Sequence, residues 1–182
     1  LGQHDLTSLD EVEIANLGVG RKFQKPSVIE TLSVWENLEL ALAGNRTPWR
    51  SVIQRLHPQD RRLMRDIAER VGLFDNLDQI GGSLSHGQKQ WLEIGMLLLQ
   101  EPEVLLVDEP AAGMTDSETM KTAELLRNLA GDHTVMVVEH DMEFVEALGC
   151  KVTVLHEGRV LAEGSLSHVS ANNEVIDVYL GR

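Results

Sequence analysis

Two short apolar segments separated by a helical pattern constrain the fold of this chain more than any other feature. Residues 104–107 form a continuous apolar run that ends in two acids, and residues 134–138 form a second such run. Both runs are typical of strands that are buried on both faces of a parallel sheet. Because residues 117–129 between them have a helical pattern, the segment predicts a βαβ unit with a right-handed crossover.

Acidic residues and a histidine stand directly after these two runs. Asp108 and Glu109 follow the first run, and His140 follows the second. Open α/β sheets place ligands at the carboxyl ends of their strands, so these three side chains are candidates for chemistry.

The remaining patterns predict a three-part organisation. Residues 1–32 are interpreted as strand and loop, with β-prone pieces at 12–15 and 18–23. Residues 33–100 are interpreted as a helical subdomain, with helices beginning after Ser33 and at Pro58. Residues 101–182 contain the βαβ unit, a hairpin formed by 152–155 and 159–162, and a terminal helix at 173–180. The predicted fold class is α/β, with a mainly parallel core sheet and a helical subdomain.

A serine stands just ahead of the helix predicted at residues 88–99, in the stretch Leu84-Ser85-His86-Gly87-Gln88. The Ser85 hydroxyl, the amides of Gly87 and Gln88, and the positive end of the helix dipole are arranged to face an anion. Taken alone, Ser85 is better explained as an ordinary helix cap.

Composition narrows the class of function. The formal net charge of -13 opposes unspecific binding to nucleic acid. Cys150 is the single cysteine, and the apolar runs are far shorter than the ~20 residues of a membrane-spanning helix. These features predict a globular chain in the cytoplasm, with any membrane connection made through a partner.

Three motifs in this order carry a resemblance to a family: the Ser85 stretch, Leu105-Leu106-Val107-Asp108-Glu109-Pro110, and Val138-Glu139-His140-Asp141. Over essentially its whole length the chain resembles the ATP-binding subunits of ABC transporters. The resemblance implies part of a P-loop NTPase fold, ATPase activity, and ATP and Mg²⁺ as cofactors.

The resemblance also implies roles for individual residues around the nucleotide. Ser85, Gly87 and Gln88 form the signature, which contacts the γ-phosphate of ATP held by the opposite subunit of a head-to-tail dimer. Asp108 holds Mg²⁺, and Glu109 orients or deprotonates the attacking water.

Two further residues are implied in the same way. His140 is the switch histidine, which bridges Glu109, the γ-phosphate and the partner subunit. Gln24 is the glutamine that senses Mg²⁺ and water and couples the site to the membrane subunit. The alternative, purely structural interpretation of Asp108-Glu109-Pro110 is the end of a strand followed by a turn.

The chain departs from the family pattern at two places. Where the family often has Ser-Ala-Leu-Asp after Glu109, the aspartate stands one residue later, as Asp116. The phosphate-binding sequence Gly-x-x-x-x-Gly-Lys-Ser/Thr is not in the printed chain. We therefore expect an N-terminal truncation of roughly 30 residues or more, and an inactive fragment whose exposed sheet flanks favour association.

Within the family, the chain resembles the branched-chain amino-acid uptake group, and most of all its urea-uptake ATPase. Urea import is the first hypothesis, with import of branched-chain amino acids or other amides as the alternative. The implied partners are a second ATPase subunit, transmembrane permease subunits and, indirectly, a solute-binding protein, with the chain on the inner face of the cell membrane. A hypothesis of another class is a non-hydrolytic regulatory module with the same fold.

Overall fold

The computed structural model describes residues 1–22, 27–43 and 57–180. Contacts within the chain define two compact units, Leu1–Val138 and Glu139–Arg182. The three-part division at residues 32/33 and 100/101 stays a prediction.

In the described residues, the sheet of the first unit contains three parallel strands in the order β1-β2-β3. They are β1 (Val19–Lys22), β2 (Val104–Asp108) and β3 (Thr134–Val138). In the central strand, Val104 is aligned with Val19 on one side and with Thr134 on the other. A helix at Asp116–Leu129 connects β2 to β3. The predicted βαβ unit and the α/β fold class are therefore confirmed.

The prediction that both apolar runs are buried on both faces is wrong for β3. Leu105 and Val107 of β2 are only 1% and 2% exposed, but Met136 and Val138 of β3 are 60% and 59% exposed. Among the described residues, β3 pairs only with β2 and so lies at an edge of the sheet. An apolar run in a sequence does not show what packs over each face of its strand.

The described residues of the first unit form five α-helices. They are α1 (Glu11–Asn16), α2 (Val34–Ala43), α3 (Pro58–Arg70), α4 (His86–Leu98) and α5 (Asp116–Leu129). Single 3₁₀ turns occur at Leu6–Ser8, Phe74–Asn76 and Gly81–Ser83. The helices predicted after Ser33, at Pro58 and beyond Ser85 are thus confirmed.

Helix α1 replaces the β-prone piece predicted at residues 12–15. The Asp10 side chain accepts a hydrogen bond from the Glu13 amide, and the Glu13 side chain accepts one from the Asp10 amide. This capping box satisfies amide groups at the start of the helix and outweighs the β-propensity of Val12 and Ile14.

Helices α2, α3 and α4 meet closely at Gly95. A Cβ atom added there would lie 3.4 Å from side-chain carbons of Leu38, Ile67 and Val71. The small residue therefore lets α4 pack closely against the other two helices, and Leu92 and Ile94 of α4 are buried in the resulting core.

The second unit is built around the predicted hairpin of β4 (Val152–His156) and β5 (Arg159–Gly164). Its helices are α6 (Met142–Leu148), α7 (Leu166–Ser170) and α8 (Asn173–Leu180). Its core consists of Val154, Ala162, Val169 and Val175. Across both units, none of the described helices combines the length and the apolarity needed to span a membrane.

Candidate functional site

The first part of the candidate site is the N-terminus of α4. Ser85 is the N-cap, and its Oγ accepts a hydrogen bond from the Gln88 amide at 3.2 Å. Gln88 returns the interaction, because its Oε1 accepts from the Ser85 amide at 2.9 Å. The predicted signature residues Ser85, Gly87 and Gln88 thus lie together on the first turn of one helix.

A carboxylate that the sequence did not reveal lies against this turn. The Ser85 hydroxyl donates to Glu118 Oε1 at 2.7 Å. A Cβ atom on Gly87 would lie only 2.7 Å from the same Oε1, so only glycine leaves room for the contact. The hydrogen bond from Ser85, followed by those from Thr115 and Gly87, lowers the pKa of Glu118.

The second part of the site is the carboxyl end of β2. Asp108 is the last residue of this strand, and its side chain is 31% exposed. The Arg21 guanidinium from β1 lies 3.8 Å from Asp108 Oδ2. The carboxylate therefore reaches solvent at the sheet edge where ligands are expected.

Glu109 has a strained backbone conformation with a φ of 43°. Its amide donates to the Val138 carbonyl at 2.9 Å, and its carbonyl accepts from the Ala112 amide at 3.3 Å. A left-handed conformation is unfavourable for a residue with a Cβ atom, and such strain concentrates at functional positions. The hydrogen bonds on both sides hold Glu109 in this conformation and direct it away from the path of β2.

The oxygen chemistry of Asp108 fits Mg²⁺, which is a hard cation. Within the described parts of the chain, no group of three or more acidic, histidine or cysteine side chains is placed to hold a metal ion. An Mg²⁺ ion bound at Asp108 would therefore take other ligands from phosphate oxygens and water, as is usual for nucleotide sites.

The structure does not test two of the predicted site residues. Gln24 lies outside the described residues. His140 belongs to the second unit, where its side chain is exposed and its Nδ1 lies 3.9 Å from Glu139 Oε2. The bridging role of His140 and the sensing role of Gln24 stay predictions.

Glu93 of helix α4 contacts both Lys22 and Ser27, through a buried ion pair with the first and hydrogen bonds from the second. Lys22 and Glu93 have almost no exposed side-chain surface, and Lys22 Nζ lies 3.9 Å from Glu93 Oε2. Glu93 Oε1 accepts from the amide and the hydroxyl of Ser27 at 3.1 and 3.0 Å. Burial raises the pKa of Glu93, although the bonds from Ser27 and the charge of Lys22 oppose the effect. The only sequence signal for this ion pair was Glu93, a charged residue within the apolar pattern of α4.

The departure from the family pattern after Glu109 has a local structural consequence. Thr115, rather than Asp116, is the N-cap of α5, and its Oγ accepts from the Glu118 amide at 3.3 Å. Asp116 is the first residue of the helix and is exposed. The cross-subunit role that the family assigns to this loop stays a prediction.

Comparisons with known proteins agree with this geometry. The ABC transporter family model, described as "ABC transporter", matches residues 1–112. The chain is 32% identical over 191 residues to the high-affinity branched-chain amino acid transport ATP-binding protein LivG of Salmonella typhimurium, with 100% of this chain and 74% of LivG covered. It is 31% identical over 193 residues to BraF of Pseudomonas aeruginosa, a protein of the same description, with 100% and 74% covered.

Solved structures give the same result. The ADP conformation of MJ1267, an ATP-binding cassette of an ABC transporter, superposes with a TM-score of 0.80 at 25% identity, covering 98% of this chain and 74% of that one. A nucleotide-free ATP-binding cassette from an ABC transporter superposes with a TM-score of 0.81 at 25% identity, covering 98% and 75%. On the matched family, the relatives and the fold, the chain belongs to the ABC transporter family, among its ATP-binding cassette ATPases.

Proposed function

We propose that this chain is part of the motor subunit of an ABC importer, which binds and hydrolyses ATP to drive uptake of branched-chain amino acids. The observation that carries the proposal is the pair Asp108–Glu109 at the end of the central strand. A solvent-reaching carboxylate is followed there by a second carboxylate held in a strained conformation. This arrangement suits a metal ligand next to a group that acts on water.

Each residue then has a distinct task. Asp108 would hold Mg²⁺, which supplies charge neutralisation on the phosphates. Glu109 positions the attacking water or accepts its proton. Ser85 and the amides of Gly87 and Gln88 donate hydrogen bonds to the γ-phosphate of ATP in the facing subunit. His140 and Gln24 complete the site as the family resemblance implies.

The choice of solute rests on relatives, because no residue of an ATPase subunit needs to touch the solute. LivG and BraF are named for branched-chain amino acid transport and are matched over the whole of this chain. The phosphonates import protein PhnC 1 of Rhodopseudomonas palustris is also 32% identical, but the match covers 94% of this chain and 64% of that protein. These matches support branched-chain amino acids over the urea hypothesis drawn from the sequence.

The proposed partners follow from this role. A second ATPase subunit in head-to-tail orientation supplies the facing nucleotide, and permease subunits carry the solute. We propose a position on the inner face of the cell membrane, with indirect contact to a solute-binding protein.

Uptake by the assembled transporter tests the solute. The ATPase subunit, its permease and its binding protein are reconstituted in vesicles containing MgATP, and labelled leucine, urea and methylphosphonate are compared. We expect leucine uptake that depends on ATP. Uptake of urea alone would restore the first hypothesis, and uptake of none of the three would contradict both.

A further inference from the structure

The two oxygens of Glu118 serve different helices. Oε2 accepts from the amide and the hydroxyl of Thr115 at 3.1 and 3.0 Å, which completes the capping box of α5. Oε1 accepts from the Ser85 hydroxyl on α4 at 2.7 Å. Because capping needs only Oε2, the contact of Oε1 with the signature turn is a separate feature.

The Ser85 hydroxyl, which donates to Glu118, is also a donor that the proposed function assigns to phosphate. A serine hydroxyl has one proton, so Ser85 cannot donate to Glu118 and to a phosphate oxygen at the same time. The carboxylate also lies where Gly87 leaves space against the backbone. A carboxylate and a phosphate both carry negative charge, so their simultaneous presence on this turn is unfavourable.

We propose that Glu118 is an internal competitor of the nucleotide, occupying the phosphate-contacting turn at Ser85 and Gly87 until the γ-phosphate of the facing subunit displaces it. The inference rests on the proposed function. The lowered pKa of Glu118 agrees with the geometry, because the hydrogen bond from Ser85 stabilises the ionised carboxylate. Displacement is local, because Glu118 is a side chain at the first turn of α5 and the backbone of α4 need not move.

Two substitutions of Glu118 test the competition in the assembled transporter. Glu118→Gln removes the charge and keeps a side chain that completes a capping box. Glu118→Ala removes both the charge and the hydrogen-bonding group, so it cannot offer a new donor to phosphate. The ATP concentration that gives half-maximal hydrolysis is measured for each variant, together with the maximal rate and the melting temperature.

We expect both variants to lower the half-saturating ATP concentration by about two- to fivefold, the size expected for a partly exposed charge interaction. The fold-change in the maximal rate should be smaller than the fold-change in the half-saturating ATP concentration. The difference in half-saturating ATP concentration between each variant and the wild type should shrink at high ionic strength, because salt screens the charge of Glu118.

Glu124→Gln is the matched control, because it removes one exposed carboxylate from the same helix away from the signature turn. It should leave the half-saturating concentration unchanged. If the wild type is active and both Glu118 variants have an unchanged or raised half-saturating ATP concentration, the inference is overturned and the proposed function is not. Glu118 would then have a structural role. A wild-type transporter without ATP turnover would overturn the proposed function and this inference with it.

Discussion

At the scale of single residues, the backbone strain at Glu109 can be measured separately from the loss of its carboxylate. Its φ of 43° is a conformation that glycine adopts without a steric penalty. The strain therefore costs stability at the position where the carboxylate is needed, as is common at functional sites.

Comparing Glu109→Gly with Glu109→Ala measures this strain. Both variants lack the carboxylate, so both should lose hydrolysis. The glycine variant should be more stable than the alanine variant by about 1 kcal/mol, because alanine retains the unfavourable left-handed conformation. Thermal or denaturant unfolding gives the difference. Equal stabilities, or a more stable alanine variant, would contradict the described conformation of Glu109.

The positions of Asp108, Glu109 and Ser85 at the ends of their elements could be predicted, because short motifs define them and the elements around them have clear patterns. Their functional roles stay predictions. The contact between Ser85 and Glu118 spans 33 positions and depends on how α5 packs against α4. The φ of Glu109 depends on a hydrogen bond to β3. Neither is encoded in a local pattern.

At the scale of elements, the buried pair Lys22–Glu93 ties the end of β1 to α4. Removing one member of a buried ion pair leaves the other charge without its counterpart. Lys22→Met should therefore destabilise the fold by about 3 kcal/mol. Lys22→Met combined with Glu93→Leu should recover a large part of this loss. A double variant no more stable than Lys22→Met would contradict the coupling.

Because the pKa of Glu93 is raised, the contribution of this residue to folding stability should depend on pH. A carboxyl whose pKa is higher in the folded state contributes stability at low pH, and the contribution is lost as pH rises through the folded-state pKa. The stability of the wild type relative to Glu93→Gln should therefore fall with rising pH above the ordinary range of a glutamate. A flat difference across that range would contradict the raised pKa.

Element types were predicted better than element surroundings. The capping box predicted at Ser33 begins α2, and Ser85 caps α4, since both serines act on nearby backbone amides. Helix α1 was missed because its capping residues, Asp10 and Glu13, precede and interrupt a β-prone piece. The burial of β3 was overestimated because Met136 and Val138 lie on one exposed face of the sheet, and an apolar run cannot specify what packs over each face.

At the scale of the whole molecule, we propose that the chain contributes residues to two functions of an ABC ATPase. The turn at Ser85 is suited to contact a nucleotide in a facing subunit, and the end of β2 is suited to act on water. The family assignment rests on the matched family model, on the relatives and on the fold shared with solved structures.

ATP hydrolysis by the assembled transporter, compared between the wild type and Glu109→Gln, tests the central claim most directly. Glutamine keeps the size of the side chain and removes its ability to accept a proton, so we expect MgATP binding to persist while hydrolysis falls by about 100-fold or more. Glu103→Gln, an exposed carboxylate just before the same strand, is the control and should hydrolyse ATP like the wild type. Undiminished hydrolysis by Glu109→Gln would contradict the account.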